Sequence, residues 1–302
     1  MAIVTPALLT ALFTGFKKNF EDAKGEAPTQ YIKIATVIKS TTASNTYGWL
    51  GNFPSLRKWV GDRVIESMKA HGYQIVNEDF EATVGVSRNA IEDDELGIYA
   101  PMFAEMGRSA GVHPDEICFT LLGAGFTSPC YDGQYFFDTD HPVYPKVDGT
   151  GTAVPTANLV VDGAYAGEPW YLLDTSRALK PIIFQDRKSP QLIAMTKVDD
   201  EAVFTRKEFR YGVDCRDAAG FGFWQLAFAN KRALTADNLW DAIGKMREFK
   251  ADGGRKLGVK PTLLVVPPSL EKLATRLLER ELDASSSNEL KGRLELVVAD
   301  YL

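Results

Sequence analysis

The chain has 302 residues, 45% of them hydrophobic and 25% charged, the composition of a folded protein and not of a disordered one. Its 34 lysines and arginines against 40 acidic residues give a net charge of −6, which argues against a chain built chiefly to grip nucleic acid. Three well-spaced cysteines, Cys118, Cys130 and Cys215, form no C-x-x-C pair; a disulfide scaffold or cysteine-rich zinc site is not expected, and the usage fits a reducing compartment. No apolar run reaches the ~20 residues that span a bilayer, so no membrane partner is expected. The first twenty residues lack a basic n-region and an A-x-A site and do not read as a secretion signal.

In chain order, Thr5 and Pro6 predict the start of an amphipathic helix whose stripe is Leu8, Leu12, Phe16 and Phe20. That stripe suits either the chain's own core or an arm laid on another subunit. Residues 40–56 are polar and turn-rich. A hairpin is expected through Val64-Ile65, a turn at His71-Gly72 and Tyr73-Ile75. A strand in which Phe80, Ala82, Val84 and Val86 alternate with polar residues follows. A two-stranded ribbon of this kind needs a partner to be stable.

Glu92, Asp93, Asp94 and Glu95 place carboxylates where a helix start favours them, and Leu96, Tyr99, Phe103, Met106 and Ala110 continue a helical stripe. Pro101 is expected to kink or divide this helix, Gly111 to end it, and Pro114 to open a second one through Leu122. Residues 123–166 read as a long Gly/Pro/Asp-rich loop region, and 170–230 as strands throughout, including AVFTRKEFRYGV. Thr235 starts a helix bearing Leu239, Ile243 and Met246. A buried strand at 262–266 follows, then a helix capped by Ser269, and a last strand at 294–298.

Four patterns carry possible chemistry. Gly107-Arg-Ser109-Ala-Gly111 satisfies G-x-S-x-G, but a nucleophile elbow needs a strand before it, and here a helical stripe runs through. Gly253 to Lys260 misses the phosphate-loop spacing, with Val259 before the lysine and Pro261 after it. Asp138, Asp140 and His141 could hold a zinc or manganese ion, although no known spacing is completed and an Asp-rich turn is the plainer reading. Arg206, Lys207 and Arg210, interleaved with Phe204, Phe209 and Tyr211, could stack bases but fit a solvated strand face better. No constellation makes an active site: no catalytic, cofactor-binding or metal residue is assigned.

Longer stretches carry a resemblance. SNTYGWLGNFPSLRKWVGDR (44–63), RNAIEDDELGIYAPMFAEMGRSAG (88–111), PCYDGQYFFDTDHPVYPKVDGTG (129–151), KLGVKPTLLVVPPSLEKLATRLL (256–278) and NELKGRLELVVADYL (288–302) closely resemble the major head subunit of Mu-like phages and prophages, over essentially the whole chain. The resemblance implies an α+β, HK97-like capsid fold. It divides the chain into an N-terminal arm (1–45), an extended β loop (46–92), a peripheral domain with its spine helix (93–234 and 291–302) and an axial domain (235–290). It implies self-assembly as hexamers and pentamers of an icosahedral shell around double-stranded DNA in a virion, with scaffold or protease, portal and decoration proteins as further partners and no cofactor. The competing classes are a hydrolase using Ser109 or a metal at Asp138, Asp140 and His141, and a tail or tube protein.

Interface candidates are Leu8, Leu12, Phe16 and Phe20 on the arm and two oppositely charged segments. Residues 46–76 carry Arg57, Lys58, Arg63 and Lys69 against only Asp62 and Glu66. Residues 77–95 carry Glu78, Asp79, Glu81, Glu92, Asp93, Asp94 and Glu95 against Arg88 alone. The basic loop of one subunit is expected to rest over the acidic helix start of the next.

Overall fold

The computed structural model describes residues 5–51, 53, 72–92, 98–147, 149–197, 199–280, 282–283 and 286–302. Helix α1 (Pro6–Glu26) begins as its sequence dictates: the Thr5 hydroxyl accepts from the Leu8 amide at 3.2 Å and Pro6 occupies the first turn. A short α2 (Tyr31–Ile34) leads into β1 (Ala35–Lys39), followed by β2 (Ser44–Thr46), β3 (Gln74–Val76), the ten-residue β4 (Glu78–Ser87) and α3 (Arg88–Glu92). The long helix α4 (Ala100–Gly123) precedes β5 (His141–Val143), β6 (Val154–Thr156), β7 (Leu159–Val161) and β8 (Trp170–Leu173). Next come β9 (Ile182–Met195), α5 (Glu201–Arg206), β10 (Glu208–Phe221), β11 (Ala227–Lys231), α6 (Ala236–Arg247), β12 (Leu263–Val266) and α7 (Glu271–Glu279). The small pair β13 (Leu282–Asp283) and β14 (Ser286–Ser287) and finally β15 (Glu295–Val298) complete the order.

Two sheets organise the molecule. The first has the order β1-β9-β10-β4, with β9 and β10 forming a long antiparallel pair, 14 residues each, and β4 lying antiparallel along the first ten residues of β10. The second has the order β15-β12-β8-β11-β7. Its inner strands, LLVV and WYLL, are buried on both faces, which is why they are continuous apolar runs instead of alternating ones. The larger core lies around the second sheet with α6 and α7; a smaller one, holding Phe16, Phe20, Phe103, Met106 and Tyr211, lies between α1, α4 and the outer part of the first sheet.

Several expectations are corrected. Pro101 does not divide a helix: it sits in the first turn of α4, where its missing N–H goes unneeded, and the helix runs unbroken past Gly111 and Pro114. Residues 201–206 are helical, not strand, because Lys207 adopts a left-handed conformation (φ 55°) that caps a turn between β9 and β10. Val64, Ile65 and His71 of the expected hairpin lie outside the described residues; the strand at 74–76 pairs with 44–46, and β4 pairs with β10. Ser269 caps nothing: its hydroxyl bonds to Glu168. In the second sheet β12 lies between β8 and β15.

Candidate assembly surfaces

The arm stripe is seated on the chain itself. Phe16 stacks on Phe103 of α4 (centroids 4.1 Å apart) and meets Tyr211 of β10 edge-on at 5.4 Å; Phe20 is fully buried, while Leu8 and Leu12 are partly covered. Glycines permit this close crossing. A Cβ on Gly107 would lie 2.2 Å from the Phe20 carbonyl oxygen, and one on Gly111 would lie 2.6 Å from the Ala27 Cβ and 2.7 Å from the Lys24 carbonyl oxygen. The G-x-S-x-G match is therefore a notch for α1. Ser109 lies exposed in mid-helix, with no strand before it and none of the geometry of a nucleophile elbow.

Asp115, one turn further along α4, reaches back to receive the amides of Gln30 (2.8 and 2.9 Å) and Tyr31 (2.7 Å), fixing where the arm turns into β1. Burial raises its carboxyl above the ordinary value, and these amide bonds offset part of that rise.

Residues 47 and 73 mark the root of the segment expected to project. Here a buried polar network ties β3 and its flanking turns to β9. Tyr47 donates to Gln185 Oε1 at 2.6 Å, and Gln185 Nε2 donates to Asn77 Oδ1 at 3.0 Å and the Ile75 carbonyl at 3.2 Å. Asn77 Nδ2 in turn donates to Ser40 Oγ at 2.9 Å. Tyr73 accepts the Phe221 amide at 2.8 Å, and its buried phenol is pushed up to about 12. Trp49 and Phe53 pack on Phe223, and Arg255 holds the Phe53 carbonyl at 2.9 Å. Sequence reading missed this network; its one signal is Gln185 standing in the apolar run PIIFQ, where a buried amide must find partners.

Of the charged interface candidates, Arg57, Lys58, Arg63, Lys69, Asp93, Asp94 and Glu95 lie outside the described residues. Glu92 is the last residue of α3. Glu78, Asp79 and Glu81 lie exposed on β4; Asp79 faces Arg216 at 3.5 Å.

The metal candidate comes apart. Asp138 and Asp140 lie together on a turn, Asp140 being fully exposed and its carboxyl raised by its hydrogen bond to Asp138. His141 turns inward, away from this pair, with Nδ1 2.8 Å from Asp132 Oδ2. The aromatic-basic stretch also fails as a stacking platform: Phe209 and Tyr211 are buried, whereas Phe204, 83% exposed, lies on α5.

One basic feature stands out against the acidic whole. Residues 245–260 hold six lysines and arginines against Glu248 and Asp252. Gly253 (φ 83°) and Gly254 (φ 74°) turn the backbone so that Lys250 and Lys256 pair across an antiparallel bridge. With Lys245 they rim a concavity of about 840 Å³ whose floor includes Val143, Phe228 and Phe249. Like charges set opposite one another are unfavourable without an anion.

Among the described residues no helix is long and apolar enough to cross a membrane. The sequence model of the Mu-like prophage major head subunit gpT matches residues 9–302. The major capsid protein of Escherichia phage Mu is 60% identical, over 99% of this chain and 100% of its own length. Among solved structures, the procapsid of bacteriophage JBD30 superposes with a TM-score of 0.88 at 54% identity, covering 99% of this chain and 100% of that one. The JBD30 capsid decorated with minor capsid protein trimers superposes at 0.76 with 39% identity, covering both chains in full.

Proposed function

The chain belongs to the Mu-like major head subunit family and is a major capsid protein of HK97-like fold, from which we propose how its parts serve a shell. Its place is the capsid of the virion, and its work is structural. The observation that carries this is full-length superposition on a procapsid subunit at a TM-score of 0.88.

In the proposed division, residues 1–45 are the arm, seated on α4 as the spine helix. Residues 46–92 form the extended loop, its root clamped by the Gln185 network. The four-stranded sheet is the peripheral body. The five-stranded sheet with α6 and α7 forms the axial body that gathers at hexamer and pentamer centres, taking residues 291–302 with it. One subunit in a closed shell must make several unlike contacts, and this arrangement offers separate elements for them. A solved relative carries minor capsid protein trimers, and this shell is proposed to take such a partner as well as a portal and a scaffold or protease.

Double-stranded DNA is the proposed cargo. The net charge of −6 keeps the wall from condensing on it, while the turn at 245–260 supplies local cations for phosphate. Between subunits, Arg57 and Lys58 of one loop are proposed to meet Asp93 and Asp94 of the next; each partly exposed pair contributes ~0–1 kcal/mol, repeated around the shell.

Sedimentation and negative-stain imaging of the purified chain test the reading. Closed shells or capsomer rings are expected; a compact monomer or long cylinders would overturn it. Assembly is expected to weaken with salt and with Arg57→Glu plus Lys58→Glu, and to recover in part when Asp93 and Asp94 become lysine. A folded double variant that the second pair of changes does not rescue would refute the pairing.

A further inference from the structure

The loop between α4 and β5 folds three chemically distinct metal donors onto one point. Cys130 opens, and Asp132 lies within, a tight turn closed by Cys130 N to Gln134 O at 2.8 Å and shaped by Gly133, whose φ of 92° suits glycine. His141 arrives from β5. Its ring lies flat on Trp224, with centroids 4.1 Å apart and planes 10° apart, so its orientation is fixed before any ligand binds. Donor atoms of the three residues all lie within 4.8 Å of one another, and all three side chains are buried.

Asp132 is the hub. Its Oδ1 accepts from the Cys130 thiol at 3.1 Å and from the Gln134 amide at 3.1 Å, and its Oδ2 receives His141 Nδ1 at 2.8 Å. Two protons, one on sulfur and one on nitrogen, thus occupy the space between the three donors. Meanwhile His141 Nε2 is buried with no hydrogen-bond partner, so Asp132 alone holds the ring through Nδ1. Beside Asp132 a cavity of about 60 Å³, lined also by Tyr131, Trp224, Lys250 and Asp252, gives room for a water.

We propose that Cys130, Asp132 and His141 form a transition-metal site of zinc type that pins the 129–144 loop against Trp224. Thiolate, imidazole and carboxylate with a fourth position for water is a donor set suited to Zn²⁺. On binding, the ion forms bonds to sulfur, to one carboxylate oxygen and to Nδ1. The thiol proton leaves to solvent, and the imidazole proton moves from Nδ1 to Nε2. With the ion in place the buried group is neutral, because the dication cancels thiolate and carboxylate together. That cancellation is what makes a buried dication tolerable here. The site is structural, and it stands apart from the capsid reading, since it needs only the folded chain. Among the described residues a second group, His113, Cys215 and Asp217, also comes together. Its imidazole is partly exposed and bonds Asp217 through Nε2 at 3.1 Å, so it serves as the comparison.

The test uses the full chain, stripped with EDTA and titrated with Co²⁺ and Zn²⁺. Wild type is expected to bind one equivalent, to show a thiolate-to-cobalt charge-transfer band, to change Trp224 emission, and to melt higher with Zn²⁺. Cys130→Ser, nearly isosteric, is expected to lose the band and the thermal shift and to bind at least ~tenfold more weakly, while Cys215→Ser keeps all three. His141→Gln is expected to behave as Cys130→Ser if circular dichroism shows it folded. A wild-type chain without band or stoichiometric binding would overturn the proposal, as would a band that survives Cys130→Ser or vanishes with Cys215→Ser. Shell formation is scored separately, so failure of the metal site and failure of the capsid reading are told apart.

Discussion

Substituting Gly107 by alanine puts a methyl carbon 2.2 Å from the Phe20 carbonyl oxygen and 2.9 Å from its carbonyl carbon. Both are backbone atoms, so no rotamer change relieves the clash. One escape is for α1 to shift away, an overpacking that costs ~1–3 kcal/mol, here toward the upper end. The other is for α1 to leave α4, exposing Phe16 and Phe20 at about 1.5–3 kcal/mol each. The cheaper shift decides the outcome. Alanine returns about 1 kcal/mol of helix propensity, leaving a net loss of ~2 kcal/mol. Gly15, on α1 with nothing within 4 Å of its Cβ position, isolates that propensity gain: Gly15→Ala is expected to stabilise by ~1 kcal/mol. The two variants should therefore differ by ~3 kcal/mol with opposite signs. Urea unfolding of the unassembled chain measures this, and proteolysis at the 27–30 connector reports whether α1 has lifted. Equal midpoints, or a Gly107→Ala chain more stable than Gly15→Ala, would show that the arm is not seated on α4.

Leu264 lies fully buried in β12 between β8 and β15; Leu264→Asp is expected to give insoluble chain through an unpaired buried carboxylate, and a soluble, assembling variant would refute the strand's placement. Gln185→Leu strands the Tyr47 hydroxyl and Asn77 Oδ1, each a loss of ~1–3 kcal/mol, and should loosen the loop root before the body in hydrogen exchange; uniform exchange would count against the network. Burial alone would raise Asp241, but Lys245 at 2.9 Å and Arg232 at 2.6 Å hold its carboxyl below the ordinary 3.8. Its contribution to stability is thus present above pH ~4 and fades as pH falls through the lowered value, a dependence that Asp241→Asn should flatten.

Elements governed by local pattern were legible in the sequence. The Thr5-Pro6 start of α1, the Thr235 cap of α6 and the apolar run of β12 each follow from a few adjacent residues whose hydrogen bonds or periodicity need no distant partner. Family membership was legible for a different reason: it is spread over nearly every segment of the chain. What tertiary structure alone decided is which distant surfaces meet. Gly111 looks like a helix stop, yet α4 continues because its two glycines let α1 settle against it, a gain in packing larger than the propensity lost. AVFTR has the composition of a strand, and becomes α5 because the long β9–β10 pair must turn there. His141, set in sequence beside Asp138 and Asp140, lies in space with Cys130 and Asp132, because it opens β5 as a buried residue while Asp138 and Asp140 stay on the turn before the strand. Sequence fixes what each residue can do, whereas burial against remote parts of the chain selects which of those things it does.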